Sequence, residues 1–173
     1  MPGSANRNIA VYTGVFDPVH IGHLDVIRRG STIFEKLIVG VGINPEKSPF
    51  FTVDERVQLL QRVTSSLTNI EILPFGGLAV EFVRKLGARI MLRGLRTTSD
   101  MEYEFTMSLT NLALAPEIET VFLMAKETYS HISGTLLRQI ADLGGDLVKF
   151  VPPEVKTAVE ARAKERRGRP GPA

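Results

Sequence analysis

Residues 9–23 read IAVYTGVFDPVHIGH. The apolar start of this stretch, Ile9 to Tyr12, predicts a buried β-strand. Leu24, Ile27 and Phe34 follow at spacings of three and seven residues, which are typical of one face of a helix. A strand, a glycine-bearing turn and a helix in this order place a helix N-terminus at the end of a strand. Because such an N-terminus presents unpaired N–H groups and a partial positive charge, the stretch predicts a phosphate-binding site.

Two histidines open the predicted helix. His20 and His23 are three residues apart, so they fall on one side of its first turn. Gly14 and Gly22 allow the backbone to approach a ligand closely. The imidazoles can therefore offer N–H donors to phosphate oxygens without a metal ion.

The rest of the chain alternates between short apolar segments and amphipathic ones. Further strands are predicted at residues 36–41, 69–74, 89–93 and 120–125, and further helices at 52–66, 78–86, 99–115, 133–143 and from 152 onward. Strands that are apolar throughout are typical of a sheet covered by helices on both faces. The pattern predicts an α/β fold with a doubly wound, five-stranded parallel sheet, whose ligands bind at the carboxyl ends of the strands.

Composition predicts one globular domain. The chain has 173 residues, of which 43% are hydrophobic and 23% are charged, and it has no cysteine that could form a disulfide or act as a thiolate nucleophile. We expect a single domain over residues 1–161 and a basic, disordered tail over 162–173. That tail has five basic residues against one acidic residue, which leaves the remaining chain with a net charge of −2. A slightly acidic body argues against nucleic acid as a partner.

Several other function classes lack their sequence signals. No apolar N-terminal segment or membrane-length apolar run is present, so we expect a cytoplasmic protein with no membrane partner. The Walker, Rossmann and G-x-S-x-G motifs are also missing, which argues against three common kinds of nucleotide or hydrolase site.

Four blocks of sequence resemble the phosphopantetheine adenylyltransferase family of nucleotidyltransferases. The first, Gly14 to His23, ends in the HIGH signature of the wider superfamily. The others are Asn44-Pro45-x-Lys47 with Phe51-Thr52-x-Asp54-Glu55-Arg56, then Arg93-Gly94-Leu95-Arg96 with Asp100-x-Glu102-Tyr103-Glu104, and finally Tyr129 to Thr135. The resemblance covers roughly residues 10–155.

The resemblance implies an activity. Such an enzyme transfers the adenylyl group of ATP to 4′-phosphopantetheine, giving dephospho-coenzyme A and pyrophosphate in coenzyme A biosynthesis. The transfer is a direct in-line attack without a covalent intermediate, and Mg²⁺ bridges the nucleotide phosphates. The resemblance also implies a homohexamer and makes coenzyme A a candidate feedback inhibitor.

The resemblance also assigns site residues. His23, Lys47 and Arg93 are the implied catalytic residues, with His23 beside the ATP α-phosphate and the two cations on the phosphate of phosphopantetheine. Val15 and Ala79 are further substrate contacts. The implied ATP-binding residues are Val15, Phe16, His20, His23, Gly94, Leu95, Arg96, Glu104, Tyr129, Ser130, His131, Ile132, Ser133, Gly134 and Thr135.

Some positions leave alternatives open. Val15 stands where the family usually has a threonine or serine hydroxyl, so a donor to the substrate phosphates is lost. His20 can serve as an extra phosphate contact or as part of the loop structure. Arg93 ends an apolar strand, where it needs an anion; the alternative partner for Arg93 or Arg96 is a nearby carboxylate.

Two competing functions stay open. One is transfer to another phosphate acceptor, such as nicotinate mononucleotide or glycerol 3-phosphate. The other is a regulatory nucleotide-binding protein with weak catalysis.

Overall fold

The computed structural model describes residues 8–43 and 49–168. Its strands form one parallel sheet in the order β3-β2-β1-β4-β5. The strands are β1 (Ile9–Gly14), β2 (Lys36–Gly42), β3 (Ile70–Phe75), β4 (Ile90–Leu95) and β5 (Glu119–Met124). The strand order reverses between β1 and β4, so the predicted doubly wound, five-stranded sheet is confirmed and has its switch point there.

Helices cover both faces of this sheet. They are α1 (Ile21–Ile33), α2 (Val53–Val63), α3 (Ala79–Lys85), α4 (Thr98–Leu114), α5 (Gly134–Asp142) and α6 (Pro153–Arg167). Alternate side chains of β1 enter opposite layers: Ala10 and Tyr12 join the larger core, while Val11 joins a smaller core with Val80 and Val83 of α3. This division follows from the two-residue period of a strand, which sends successive side chains to opposite faces.

The ends of β4 and α2 differ by more than one residue from those predicted. β4 continues two residues past Arg93, because Gly94 and Leu95 pair with β5. α2 ends at Val63 rather than Ser66, since the chain turns there and the Leu67 N–H donates to the Thr64 carbonyl at 2.9 Å.

The predicted disordered tail begins inside a packed helix. α6 continues through Arg167, and Ala163 is fully buried. Arg162 donates to the Phe50 carbonyl at 2.6 Å, and Arg167 donates to the Ala141 carbonyl at 2.8 Å. Because these arginines have acceptors on other elements, residues 162–167 belong to the folded body, and 169–173 lie outside the described residues.

None of the helices between residues 8–43 or 49–168 is long and apolar enough to cross a bilayer.

Candidate active site

A cavity of about 660 Å³ opens at the carboxyl ends of the five strands. This is the position that the switch-point rule predicts, and the volume lies in the range of small-molecule sites. Twelve of the residues predicted from the sequence line it: Val15, Phe16, His20, His23, Ala79, Arg93, Gly94, Arg96, Glu104, Ser133, Gly134 and Thr135.

The turn after β1 holds a strained residue. Phe16 has φ of 52°, in the left-handed region that non-glycine residues rarely adopt. Its buried ring packs edge-on against Tyr12 at 5.4 Å and against His23 at 4.9 Å between ring centroids. A Cβ on Gly14 would lie 2.9 Å from this ring, so a glycine is needed there. Strain of this kind persists where surrounding packing enforces it, and it is concentrated at functional sites.

His20 and His23 start α1 by capping each other. The His23 N–H donates to His20 Nδ1, and the His20 N–H donates to His23 Nδ1, each at 3.3 Å. The two rings stack with their centroids 3.6 Å apart. Because both Nδ1 atoms accept hydrogen bonds, the network assigns the imidazole protons to Nε2. The pair therefore presents two Nε2–H donors at the mouth of a helix N-terminus.

Both histidines are held neutral. Burial, with a smaller contribution from nearby Arg96, lowers the pKa of His20 to about 3. Burial and the neighbouring His20 and Arg96 also lower the pKa of His23 well below its ordinary value. At neutral pH the two imidazoles are thus hydrogen-bond donors rather than cations.

Arg93 is paired in this structure rather than lacking a partner. Its Nε donates to Glu104 Oε2 at 2.7 Å, its Nη2 also contacts that carboxylate, and its Nη1 donates to the Thr13 carbonyl at 2.8 Å. Burial is the largest single influence and would lower the pKa of Arg93, but the hydrogen bonds to Glu104 and the nearby negative charge together outweigh it, so the pKa is raised. Of the partners that the sequence left open for Arg93, the structure shows the carboxylate, as a fixed Arg93–Glu104 pair on the cavity wall.

Arg96 joins two loops at the cavity. Its Nε donates to Asp100 at 2.9 Å, and its Nη1 donates to the Ile132 carbonyl at 2.5 Å. The sequence left an ion pair open for this arginine, and Asp100 is that partner. The second bond holds the segment before α5 against the end of β4.

The N-terminus of α5 forms another side of the cavity. Ser133 caps it, because its hydroxyl accepts from the Leu136 N–H at 3.2 Å. A Cβ on Gly134 would lie 3.1 Å from the Asp17 carbonyl oxygen, so the helix start approaches the turn after β1 closely. Arg138, one turn along α5, donates to that same carbonyl. A second helix N-terminus thus faces the cavity beside the histidine pair.

Five of the predicted nucleotide residues do not line this cavity: Leu95, Tyr129, Ser130, His131 and Ile132. Leu95 and Ile132 are buried in the protein. The Ser130 hydroxyl donates to the Glu127 carbonyl at 2.9 Å, and the exposed His131 ring faces Phe150 at 6.1 Å. Lys47 lies outside the described residues.

Three charged residues of the cavity were not predicted. Asp17, Arg56 and Arg138 all line it. Arg56 is only 3% exposed and donates to the carbonyls of Val15 at 2.8 Å and Gly42 at 3.0 Å. The signal was present, since Asp17 and Arg56 both fall within the quoted blocks, but spacing alone does not show which cavity they reach.

Carboxylates of the cavity are already engaged. Asp17 accepts from the N–H groups of Phe50 and Phe51, and Glu104 is paired with Arg93. Across residues 8–43 and 49–168, no three His, Asp or Glu side chains are grouped to hold a metal ion. With Arg56, Arg93, Arg96 and Arg138 around it, the cavity favours an anionic ligand.

A parallel sheet with this strand order and a histidine-started helix at the switch point defines the class of a nucleotidyltransferase. A model of the cytidylyltransferase-like family matches residues 11–140. A Bordetella pertussis phosphopantetheine adenylyltransferase is 48% identical over 159 residues, which cover 92% of this chain and 94% of that protein. A Clostridium botulinum phosphopantetheine adenylyltransferase is 47% identical over 156 residues, which cover 90% of this chain and 98% of that protein. The chain belongs to the phosphopantetheine adenylyltransferase family.

A solved structure shows the same fold. It is a Vibrio parahaemolyticus protein described as a nicotinate-nucleotide adenylyltransferase, which superposes with a TM-score of 0.70. The match covers 92% of this chain and 96% of that chain at 17% sequence identity, so it supports the fold alone.

Proposed function

We propose that this chain transfers the adenylyl group of ATP to 4′-phosphopantetheine, giving dephospho-coenzyme A and pyrophosphate. The observation that carries the proposal is the mutually capped pair of His20 and His23 at the start of α1, facing a cavity with several arginines. The acceptor is the one in the names of relatives nearly half identical over most of the chain.

The reaction asks for positioning and charge stabilisation rather than a protein nucleophile. A phosphate oxygen of phosphopantetheine attacks the α-phosphorus of ATP and forms a new P–O bond. The bond between the α-phosphorus and the oxygen leading to the β-phosphate breaks, and its electron pair leaves with pyrophosphate. Negative charge builds up on the α-phosphate oxygens and on the leaving oxygen, so fixed N–H donors and cations lower the barrier.

His23 is the proposed principal donor to the α-phosphate. Its Nδ1 is occupied by the His20 backbone, which leaves Nε2–H for the ligand. His20 is held in the same tautomer and adds a second donor in place of the hydroxyl that Val15 lacks. Neutral imidazoles suit this role because they donate a hydrogen bond without transferring the proton.

We assign different arginines of the cavity to the two substrates. Arg93 is assigned to the phosphate of phosphopantetheine, together with Lys47, which is proposed on the resemblance alone. Arg96, Gly94 and the α5 N-terminus at Ser133 are assigned to ATP. The Nε and Nη2 groups of Arg93 already donate to Glu104, so this pair orients the guanidinium before the ligand arrives and leaves its remaining hydrogen-bonding capacity for the phosphate.

Mg²⁺ is proposed to enter with ATP, held by its phosphates and water. The donor set of the described cavity does not offer a protein-held site, because the carboxylates of Asp17 and Glu104 are both engaged by protein donors. When bound, the ion neutralises phosphate charge, and the residues named above fix the geometry.

Assembly is proposed through α4. This helix carries a set of exposed apolar side chains: Met101, Tyr103, Phe105, Met107, Leu109, Leu112 and Leu114. Met124 of the edge strand β5 is also exposed, and an apolar area of this extent is unusual on a monomer. Of these, Met101, Phe105, Leu109 and Leu112 are spaced three or four residues apart and form one apolar face of α4. The same face of a second copy can cover it, and the resemblance implies six copies. We also propose that the enzyme acts in the cytoplasm, and that coenzyme A, which shares the substrate's pantetheine arm, competes for the cavity.

An acceptor comparison tests the function. Pyrophosphate release from ATP and Mg²⁺ is measured with 4′-phosphopantetheine, nicotinate mononucleotide or glycerol 3-phosphate as the acceptor. We expect turnover with phosphopantetheine alone. Turnover with another acceptor would reassign the substrate, and ATP binding without any turnover would favour a regulatory protein.

A further inference from the structure

Arg162 of the C-terminal helix contacts the segment that leads into α2. Its Nη1 donates to the Phe50 carbonyl at 2.6 Å, and its Nη2 contacts the Glu55 carboxylate. The guanidinium carbon lies 5.2 Å from the centroid of the Phe51 ring. The Arg162 side chain therefore contacts two successive residues of this segment, Phe50 and Phe51.

The same two residues are also held by Asp17. Its carboxylate accepts from the Phe50 N–H at 2.7 Å and from the Phe51 N–H at 2.9 Å. Phe50 thus links a partly buried contact, with Arg162 on its carbonyl, to a buried one, with Asp17 on its N–H. Both phenylalanines are almost fully buried, so this backbone has little freedom to move without disturbing one contact.

Asp17 belongs to the turn that shapes the active site. It follows the strained Phe16, whose ring contacts His23, and its own carbonyl accepts from Arg138 of α5. A shift of Asp17 would change the support of Phe16 and of the helix start that carries the histidines. The contacts connect α6 to the proposed phosphate donors through four links: Arg162 to Phe50, Phe50 to Asp17, Asp17 to its neighbour Phe16, and Phe16 to His23.

We propose that Arg162 is a positioning residue for adenylyl transfer, acting through Phe50 and Asp17 on the turn that holds Phe16 and His23. The proposal rests on the function proposed above. Arg162 does not line the cavity, so it acts on the geometry of the site rather than on a substrate.

Arg166 provides a matched control. It lies one turn further along α6, its guanidinium carbon is 5.0 Å from the Phe50 ring centroid, and it faces the Asp142 carboxylate with 3.7 Å between Nε and Oδ1. It therefore shares the helix, the charge and the aromatic contact of Arg162 but makes no hydrogen bond to the Phe50 backbone. Arg162→Met and Arg166→Met remove the same charge and keep a side chain of similar length.

Steady-state kinetics and thermal unfolding of the two variants test the proposal. We expect Arg162→Met to lower kcat by about tenfold, because small misplacements of a site have effects of this size or larger. The KM for ATP should stay within about twofold, since uniform substrate binding is retained. Arg166→Met should keep the wild-type kcat, and Arg162→Lys, which keeps one donor for the Phe50 carbonyl, should recover part of the loss.

Equal kcat values in Arg162→Met and Arg166→Met would overturn the proposal. A loss of activity in Arg162→Met that is fully explained by unfolding of the variant at the assay temperature, as seen from its lowered Tm, would also overturn it. A double-mutant cycle with Asp17→Asn checks the route. If Arg162 acts through Asp17, adding Arg162→Met to the Asp17→Asn variant should lower kcat by at most about threefold, compared with about tenfold in the wild-type background. A full additive loss would contradict the route. The wild-type chain is assayed first. If it has no adenylyltransferase activity, the proposed function fails; if it is active, the variants test only the role of Arg162.

Discussion

His20 and His23 occupy reciprocal positions in one capping box, each accepting the other's backbone N–H at 3.3 Å through Nδ1. The N-cap and N3 positions of a helix are usually linked in this way by Ser or Thr with Glu or Gln. Here two stacked imidazoles perform the capping and keep their Nε2–H groups for a ligand. The same two side chains thus cap the start of α1 and are the proposed phosphate donors.

A substitution that keeps the cap but removes the imidazole separates these roles. Glutamine is a favoured N3 residue, so His23→Gln can still accept from the His20 N–H. We expect kcat to fall by about 10²-fold or more, as on removal of a transition-state donor, with Tm close to that of the wild type. Initial rates and thermal unfolding measure this. An unchanged kcat would remove His23 from the mechanism.

The depressed pKa of His20 predicts an acid-sensitive stability. His20 has a pKa of about 3 when folded, against 6.5 for an ordinary histidine, so below pH 6.5 the unfolded chain binds the proton more tightly. The stability due to neutral His20 is complete above pH 6.5 and is lost as the pH falls toward 3, at up to about 1.4 kcal/mol per pH unit.

Urea unfolding at pH 6.5 and pH 5 measures this loss. His20→Asn keeps a good N-cap side chain but has no imidazole to titrate. The wild type should lose about 2 kcal/mol more than His20→Asn between these pH values. Equal losses in the two proteins would show that folding does not lower the pKa of His20.

Position 15 is a site where adding one hydroxyl group is expected to raise activity. Its side chain lines the cavity and is 56% exposed, while its carbonyl is held by Arg56. Val15→Thr keeps the shape and adds a donor toward the substrate phosphates. A hydrogen bond to a charged group is worth about 1.5–3 kcal/mol, so we expect kcat/KM to rise by about tenfold or more. A kcat/KM equal to that of the wild type would mean that the His20 donor already serves this purpose.

Arg93 should matter for the acceptor more than for ATP. Arg93→Gln removes the bidentate pair with Glu104 and the cation proposed for the phosphopantetheine phosphate. Calorimetry should show a Kd for phosphopantetheine raised by about tenfold or more, with a smaller change for ATP. Arg84→Gln is the control, because Arg84 forms exposed ion pairs with Glu81 and Glu117 on α3 and just beyond α4. If Arg93→Gln weakens the binding of both substrates equally, Arg93 is not specific to the phosphate of phosphopantetheine and its assignment is wrong.

The apolar face of α4 predicts a change of assembly on charge insertion. Phe105 is 58% exposed within that face. Phe105→Glu would bury a charge in each interface between copies, which is strongly unfavourable. Light scattering should show the wild type as an oligomer and the variant as a smaller species. If the wild type is a monomer at micromolar concentration, the assembly proposal is wrong.

The fold could be predicted because its signals are local. Apolar β-branched runs mark the strands, and the spacing of Thr52 and Glu55 is that of a capping box, which they form at the start of α2. The position of the cavity then follows from the parallel topology, since the carboxyl ends of all strands meet at one edge of the sheet.

Long-range contacts could not be predicted in the same way. Arg162 bonds a carbonyl 112 residues away, so composition alone assigned it to a disordered tail. Arg93 had three carboxylates within reach along the chain, and only the packing of α4 selects Glu104. His20 is not among the usual N-cap residues, so its capping role became visible only with the ring of His23 against it.

The most direct test of the account follows the acceptor's own oxygens. The protein is incubated with ATP, Mg²⁺ and 4′-phosphopantetheine that carries ¹⁸O in its phosphate, and the products are weighed by mass spectrometry. Direct attack predicts dephospho-coenzyme A that retains all of the label, together with unlabelled pyrophosphate. Absence of dephospho-coenzyme A, or loss of label from it, would contradict adenylyl transfer by direct attack of phosphopantetheine.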